Sequence, residues 1–183
     1  MAALPHTTPH LPALTLVLGG ARSGKSRYAE ALFEGQPGTC CYVATAQAFD
    51  AEMEARIAAH RARRDSRWHT QEAPINLETA LSSAAALKQP ILVDCLTLWV
   101  SNLMLAEMDI DAQVRKLLDS LAQLDVPLVM VSNEVGLGIV PENALARAFR
   151  DHAGHLNQQL AAAADHVVFL AAGLPLTLKN PGR

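Results

Sequence analysis

Along nearly the whole chain, short apolar runs alternate with stretches in which apolar side chains recur every three or four residues. The runs Leu14–Leu18, Cys40–Ala44, Ile91–Val93, Leu128–Ser132 and His166–Leu170 read as buried strands. Helical spacing fills the gaps at Lys25–Phe33, Asp50–Arg64, Leu77–Leu87, Leu96–Glu107, Ala112–Leu124 and Glu142–Ala164. In the last of these, Leu145, Phe149, His152, Leu156, Leu160 and Ala163 form one core-facing stripe, with Pro141 suited to a first turn. Apolar strands alternating with helices predict an α/β fold whose mainly parallel sheet is covered on both faces.

Composition sharpens this picture only in part. With 183 residues, half of them apolar, the chain can bury a sizeable core as a single domain, expected over residues 13–183. Residues 1–12 hold three prolines and neither Lys nor Arg, so they read as a disordered extension without the basic flank of a secretory signal. The net charge of −3 gives no electrostatic reason to expect nucleic acid or an anionic membrane. No run approaches the ~20 apolar residues of a membrane span. Cys40, Cys41 and Cys95 have no metal-ligand or disulfide spacing, and a reducing cytoplasm is the simplest setting.

The first apolar run delivers the chain into Gly19-Gly20-Ala21-Arg22-Ser23-Gly24-Lys25-Ser26, which fits G-x-x-x-x-G-K-[ST]. Between a strand and a helix, such a turn points its backbone N–H groups inward around phosphates. Lys25 would reach the β- and γ-phosphates, and Ser26 would ligate Mg²⁺. The expected architecture is therefore a three-layer P-loop NTPase fold of the RecA-like kind. A second element of the site is predicted at Ile91-Leu92-Val93-Asp94, an apolar strand ending in a carboxylate at the same sheet edge. Asp94 would hold the cation directly or through water; the alternative is an N-cap for the helix near Leu96.

The segment from Thr45 to Glu72 carries the next signal. Arg56, Arg61, Arg63, Arg64 and Arg67 crowd around His60, with Asp65 as their local counter-charge. Such a cluster suits a triphosphate. Helix-end electrostatics supply the competing reading, since Asp50, Glu52 and Glu54 lie near the helix start and the arginines near its end. His60 also shares a face with Met53 and Ile57, where it could close an apolar stripe.

Several segments together resemble a known family: GGARSGKS, Tyr42–Gln47, Asp50–Trp68 with its A-R-I-x-x-H core, and Val131–Asn143, which reads VSNEVGLGIVPEN. The likeness continues through Arg150–Gly154 and Asn157-Gln158 and covers essentially everything after Leu14. The family is the bifunctional adenosylcobinamide kinase/adenosylcobinamide-phosphate guanylyltransferase of cobalamin biosynthesis. The resemblance implies phosphorylation of the aminopropanol hydroxyl of adenosylcobinamide with ATP or GTP, then transfer of GMP from GTP onto that phosphate. It implies that His60 carries GMP covalently. It also implies nucleotide binding by Gly19 to Ser26 (with Lys25 catalytic), Thr45, Ala46, Gln47, Arg61, Ala62, Arg63, Arg64, Glu72 and Asp94, Mg²⁺ as cofactor held by Ser26 and Asp94, and a homotrimer.

The chemistry is physically coherent. A neutral imidazole can attack the α-phosphorus, and the guanidiniums can offset charge developing on the departing pyrophosphate. Because His60 would act at the α-phosphate and Lys25 near the γ-phosphate, either the nucleotide binds differently in the two steps or the helix bearing His60 swings toward the loop. Asn133-Glu134 lacks the lysine and aspartate of a guanine-reading N-K-x-D motif, which favours a turn or subunit-contact role there. The apolar stretch Leu96–Leu105 is expected either at a subunit interface or in the core. Competing functions on the same fold are a one-step small-molecule or nucleotide kinase and a nucleotide-gated binding protein.

Overall fold

The computed structural model describes residues 11–48, 50–62 and 64–180; the side chains of Glu52, Arg56 and His60 lie outside the description. The strands are β1 (Leu14–Gly19), β2 (Cys40–Ala44), β3 (Trp68–Glu72), β4 (Ile91–Asp94), β5 (Leu128–Asn133), β6 (His166–Ala171) and β7 (Leu174–Lys179). The helices are α1 (Lys25–Ala31), α2 (Ala51–Ala62), α3 (Leu77–Ala86), α4 (Leu96–Leu105), α5 (Ile110–Leu121) and α6 (Ala144–Ala163). The strands form one sheet in the order β3-β2-β4-β5-β1-β6-β7, parallel except for β7, which runs antiparallel to β6.

Alternation along the strands divides the interior into two cores. On one face, Val17, Tyr42, Leu92, Val129 and Val168 pack with Ala29 of α1 and with Phe33. On the other, Leu16, Cys41, Val43, Ile91, Val93 and Met130 meet α3, α4, α5 and α6. This is the three-layer arrangement expected for strands apolar on both sides. In α5 the buried side chains Ile110, Gln113, Val114 and Leu117 fall on one stripe, and Asp109 caps the helix by accepting from Ala112 N at 2.9 Å. The helix α4 is buried nearly all round, with Leu96, Trp99, Val100 and Leu103 fully covered, so the stretch considered for a subunit interface is interior.

Two strands went unread in the sequence, both at sheet margins. The edge strand β3, Trp-His-Thr-Gln-Glu, has no buried residue and offers no apolar run. The other edge strand, β7, is exposed at every position and contains Pro175, which an edge tolerates. Several boundaries also differ. Asn143 caps α6 through a bond from Ala146 N at 3.1 Å, which leaves Pro141 outside the helix rather than in its first turn. Leu11, assigned to the disordered extension, is buried at 4 % exposure in the α1-side core.

All three cysteines are free and buried. Burial raises the Cys40 thiol and pushes those of Cys41 and Cys95 up to about 11, the neighbouring Cys40 and Asp94 charges adding to the effect at the latter two. The folded protein should therefore show almost no reaction with a disulfide reagent at about pH 8, below the ordinary thiol pKa of ~8.5. All 3 thiols should titrate once it is denatured. Rapid reaction of the folded chain would contradict this packing.

Candidate nucleotide site at the C-terminal edge of the sheet

Parallel register places the candidate residues in one row. Glu72 pairs with Ala44, Ala44 with Asp94, Asp94 with Val131, and Val131 with Val17. The residues that follow these strand positions, Thr45 to Gln47, Cys95, Asn133 and the Gly19–Ser26 loop, all leave the sheet at its C-terminal edge. Ligands in open α/β sheets bind at this edge. Because β5 lies between β4 and β1, the Asp94 backbone stands two strand spacings, roughly 10 Å, from the loop strand. Its side chain shares the α1 face, since Leu92 two residues earlier packs there.

The loop is shaped by backbone conformations that suit glycine. Gly19 has φ +148°, and a Cβ there would lie 2.5 Å from the Leu170 carbonyl oxygen. Gly24, at φ +97°, N-caps α1, while Arg22 takes a left-handed φ of 56° without being glycine. Beyond the loop, Gly173 N donates to Ser23 O at 3.0 Å, tying the β6–β7 turn to the phosphate cradle. Lys25 is buried at 7 % exposure, and its ammonium donates to Gly20 O at 2.6 Å, folded back across the loop. The Ser23 hydroxyl is buried without a hydrogen-bond partner. A strained, inward-facing cradle with a cation and an orphan hydroxyl fits an incoming phosphate.

Behind Asp94 the chain is pinned from two sides. The Thr45 hydroxyl donates to Cys95 O at 2.7 Å and accepts from Cys95 N at 2.9 Å, all within the interior. Asn102 Nδ2 donates to Thr45 O at 2.8 Å and to Pro74 O at 3.0 Å. Cys95 is the N-cap of α4, and no side chain caps that helix, so the capping role considered for Asp94 is not the one it plays. Instead Asp94 Oδ2 accepts from the Tyr42 hydroxyl at 3.1 Å. Burial and the adjacent Asp94 charge push the Tyr42 hydroxyl well above its ordinary range, so it stays a donor.

Of the arginine cluster, Arg61 pairs with Glu72 at 3.5 Å in an exposed contact, and Arg64 lies with its guanidinium carbon 3.6 Å from the Tyr42 ring centroid. Arg64 Nη1 is buried without a hydrogen-bond partner. Ala46 is half-buried while Gln47 and Ala62 are exposed. His60 belongs to α2, a helix with no buried residue among those whose side chains are described. The His60 side chain, like residue Arg63, lies outside the described residues. Reading the sequence missed Tyr42, Thr97 and Asn133 as parts of this edge. Asn133 Nδ2 donates to Thr97 Oγ1 at 2.8 Å, and Asn157 Nδ2 donates to Asn133 O at 3.2 Å, which makes Asn133 a brace between β5, α4 and α6. Only tertiary contact reveals such a role.

Among the described residues no three His, Cys, Asp or Glu side chains gather as a metal-binding cluster. A hydroxyl, one carboxylate and phosphate oxygens are nonetheless a common set for Mg²⁺, which seldom needs an all-protein cage.

Fold and loop together define a P-loop nucleotide-binding α/β protein. The same fold is seen in a prototypical ATPase from the type III secretion system of pathogenic bacteria, with a TM-score of 0.52 at 10% identity over 91% of this chain and 57% of that one. The chain belongs to the cobinamide kinase / cobinamide phosphate guanyltransferase family, matching it over residues 15–178. It is 48% identical to the bifunctional adenosylcobalamin biosynthesis protein CobP of Pseudomonas aeruginosa, over 90% of this chain and 96% of that protein. It is 42% identical to the protein CobU of Salmonella typhimurium, described in the same words, over 91% and 99% of the two chains.

The Thr45 contacts yield a stability test. Thr45→Val would strand the buried Cys95 N–H, whose only described partner is the Thr45 hydroxyl, while Cys95 O keeps its bond from Trp99 N at 3.2 Å, costing about 1–3 kcal/mol in unfolding free energy. Thr45→Ser, which keeps the hydroxyl, should stay within about 1 kcal/mol of the parent chain. Equal losses from the two substitutions in a urea melt would contradict the assignment.

Proposed function

We propose that this chain phosphorylates the aminopropanol hydroxyl of adenosylcobinamide and then joins GMP from GTP to the new phosphate. The product is adenosylcobinamide-GDP. What supports this reading is that two sets of charged groups lie along the sheet. The first set is the Gly19–Ser26 cradle with buried Lys25; the second is the α2–β3 segment with Arg61, Arg64 and Glu72.

In the phosphorylation step, the loop amides and Lys25 bind the β- and γ-phosphates and hold the terminal phosphoryl group toward the acceptor hydroxyl. Ser26 and Asp94 would hold Mg²⁺, which supplies charge neutralisation across the phosphate oxygens. In guanylyl transfer, a ring nitrogen of His60 attacks the α-phosphorus of GTP, forming a P–N bond as the α–β anhydride bond breaks and pyrophosphate departs. A phosphate oxygen of the corrinoid then attacks the same phosphorus and releases the imidazole. Arg61, in the last turn of α2, and Arg64, two residues beyond the helix, follow His60 closely in the chain, and their charge would offset that of the leaving group.

A cytoplasmic setting is supported by the three free thiols. Self-association is supported by apolar side chains left in solvent, Leu137, Ile139 and Val140 before α6 and Leu174, Leu176 and Leu178 on β7, and the trimeric form is what the family resemblance implies. No helix among the described residues is long and apolar enough to cross a membrane.

The covalent step separates this reading from a one-step kinase and from a nucleotide-gated binding protein. After incubation with GTP and Mg²⁺, kept alkaline because a phosphoramidate is acid-labile, intact mass should show a guanylyl adduct on the parent chain. His60→Ala should show none. An adduct on both chains, or on neither while GTP is bound, would remove His60 as the nucleophile.

A further inference from the structure

Tyr42 is assigned no part in the chemistry above, yet it touches two groups that are. Its hydroxyl donates to Asp94 Oδ2 at 3.1 Å, and its ring lies 3.6 Å from the Arg64 guanidinium carbon. The ring is boxed in. Trp68 meets it edge-on at a centroid distance of 6.2 Å and packs in turn on Phe33 at 4.9 Å. At 5 % exposure, Tyr42 cannot swing aside without opening the α1-side core. Register places Ala44 opposite Asp94 and Tyr42 opposite Leu92, so hydroxyl and carboxylate share a face and the phenol reaches along the sheet to the acid.

The same side chain thus holds the strand-end acid of β4 and an arginine two residues past the end of α2. We propose that Tyr42 is a positioning residue joining the two halves of the nucleotide site. Its hydroxyl fixes the Asp94 carboxylate for a divalent cation, and its ring seats the C-terminal end of α2 through Arg64. This rests on the reading of Asp94 as the cation-side carboxylate. A neutral donor on one carboxylate oxygen leaves the negative charge in place while restricting rotation. Outer-shell partners of this kind change metal affinity by about 10–100-fold when removed. On the other side, a planar guanidinium over a phenol is a directional contact that a point charge does not reproduce. The helix α2 has no buried residue among those described, and besides Tyr42 this part of the chain is tied by the exposed Arg61–Glu72 pair and by Arg67 to Gln36 O and Cys40 N.

Tyr42→Phe and Tyr42→Leu separate the two roles. Binding of Mn²⁺ in the presence of a non-hydrolysable GTP analogue can be followed from the free-ion electron paramagnetic resonance signal. Tyr42→Phe should weaken it by about 10-fold, and should add little to the loss caused by Asp94→Asn. In turnover, the same variant should raise the Mg²⁺ concentration for half-maximal corrinoid phosphorylation while leaving kcat at saturating Mg²⁺ nearly unchanged. Amide hydrogen exchange over residues 61–67 should match the parent chain in Tyr42→Phe and quicken in Tyr42→Leu, which lacks the ring.

Parent-like Mn²⁺ affinity in Tyr42→Phe, with Asp94→Asn clearly weakened, would overturn the carboxylate role. Unchanged exchange in Tyr42→Leu would overturn the seating of α2. If Asp94→Asn itself bound Mn²⁺ as the parent does, the reading of Asp94 would fall, and the Tyr42 proposal with it.

Discussion

The reciprocal pair between the Thr45 hydroxyl and the Cys95 backbone is the contact on which the site depends. It joins the ends of two neighbouring parallel strands in a dry interior, where an unmatched peptide group costs about 1–3 kcal/mol. Asp94 immediately precedes one end of that pin. Tyr42 lies three residues before the other, so the carboxylate is held from both its own strand and the adjacent one. Asn102 extends the pin into α4, and Asn133 and Asn157 brace β5 in the same layer. Chemistry at this edge rests on a polar scaffold within an otherwise apolar core.

The phosphate loop is braced separately and from the other side. Its first glycine abuts the Leu170 carbonyl of β6, and the β6–β7 turn bonds back to Ser23. This gives β7 a purpose that its exposure would not suggest, because the antiparallel strand anchors the turn that rests on the loop. The arginine segment is held more lightly. Its described contacts to the body include an exposed ion pair to Glu72, the stacking of Arg64 on Tyr42 and, at its far end, bonds from Arg67 Nη1 to Gln36 O at 3.3 Å and from Cys40 N to Arg67 O at 2.9 Å. A braced phosphate cradle beside a helix with no buried residue among those described suits the proposed engagement of a nucleotide at both the γ- and the α-phosphate.

The layout was legible where burial writes itself into the residue pattern. Five inner strands, the helices between them, the phosphate loop and the terminal position of Asp94 all followed from apolar runs and glycine spacing. The edge strands β3 and β7 did not: β3 is polar and offers no apolar run, while in β7 the alternating Leu174, Leu176 and Leu178 are a strand signal that Pro175 obscures. Nor could sequence tell that Thr45 turns inward to hold Cys95, or that Tyr42 serves Asp94 rather than merely filling the core. Both depend on which strands become neighbours. The sheet order, with β5 between the loop strand and the acid strand, is a tertiary fact.

In the proposed site the hydroxyl of Ser26 and the carboxylate of Asp94, two strands apart, serve one cation beside one nucleotide. Anomalous diffraction from crystals grown with Mn²⁺ and a non-hydrolysable GTP analogue tests it most directly. A single manganese peak is expected, bounded by Ser26 Oγ, the phosphates in the Gly19–Ser26 cradle and the Asp94 side chain, directly or through one water. A nucleotide seated in the cradle with its manganese remote from Asp94 would contradict it.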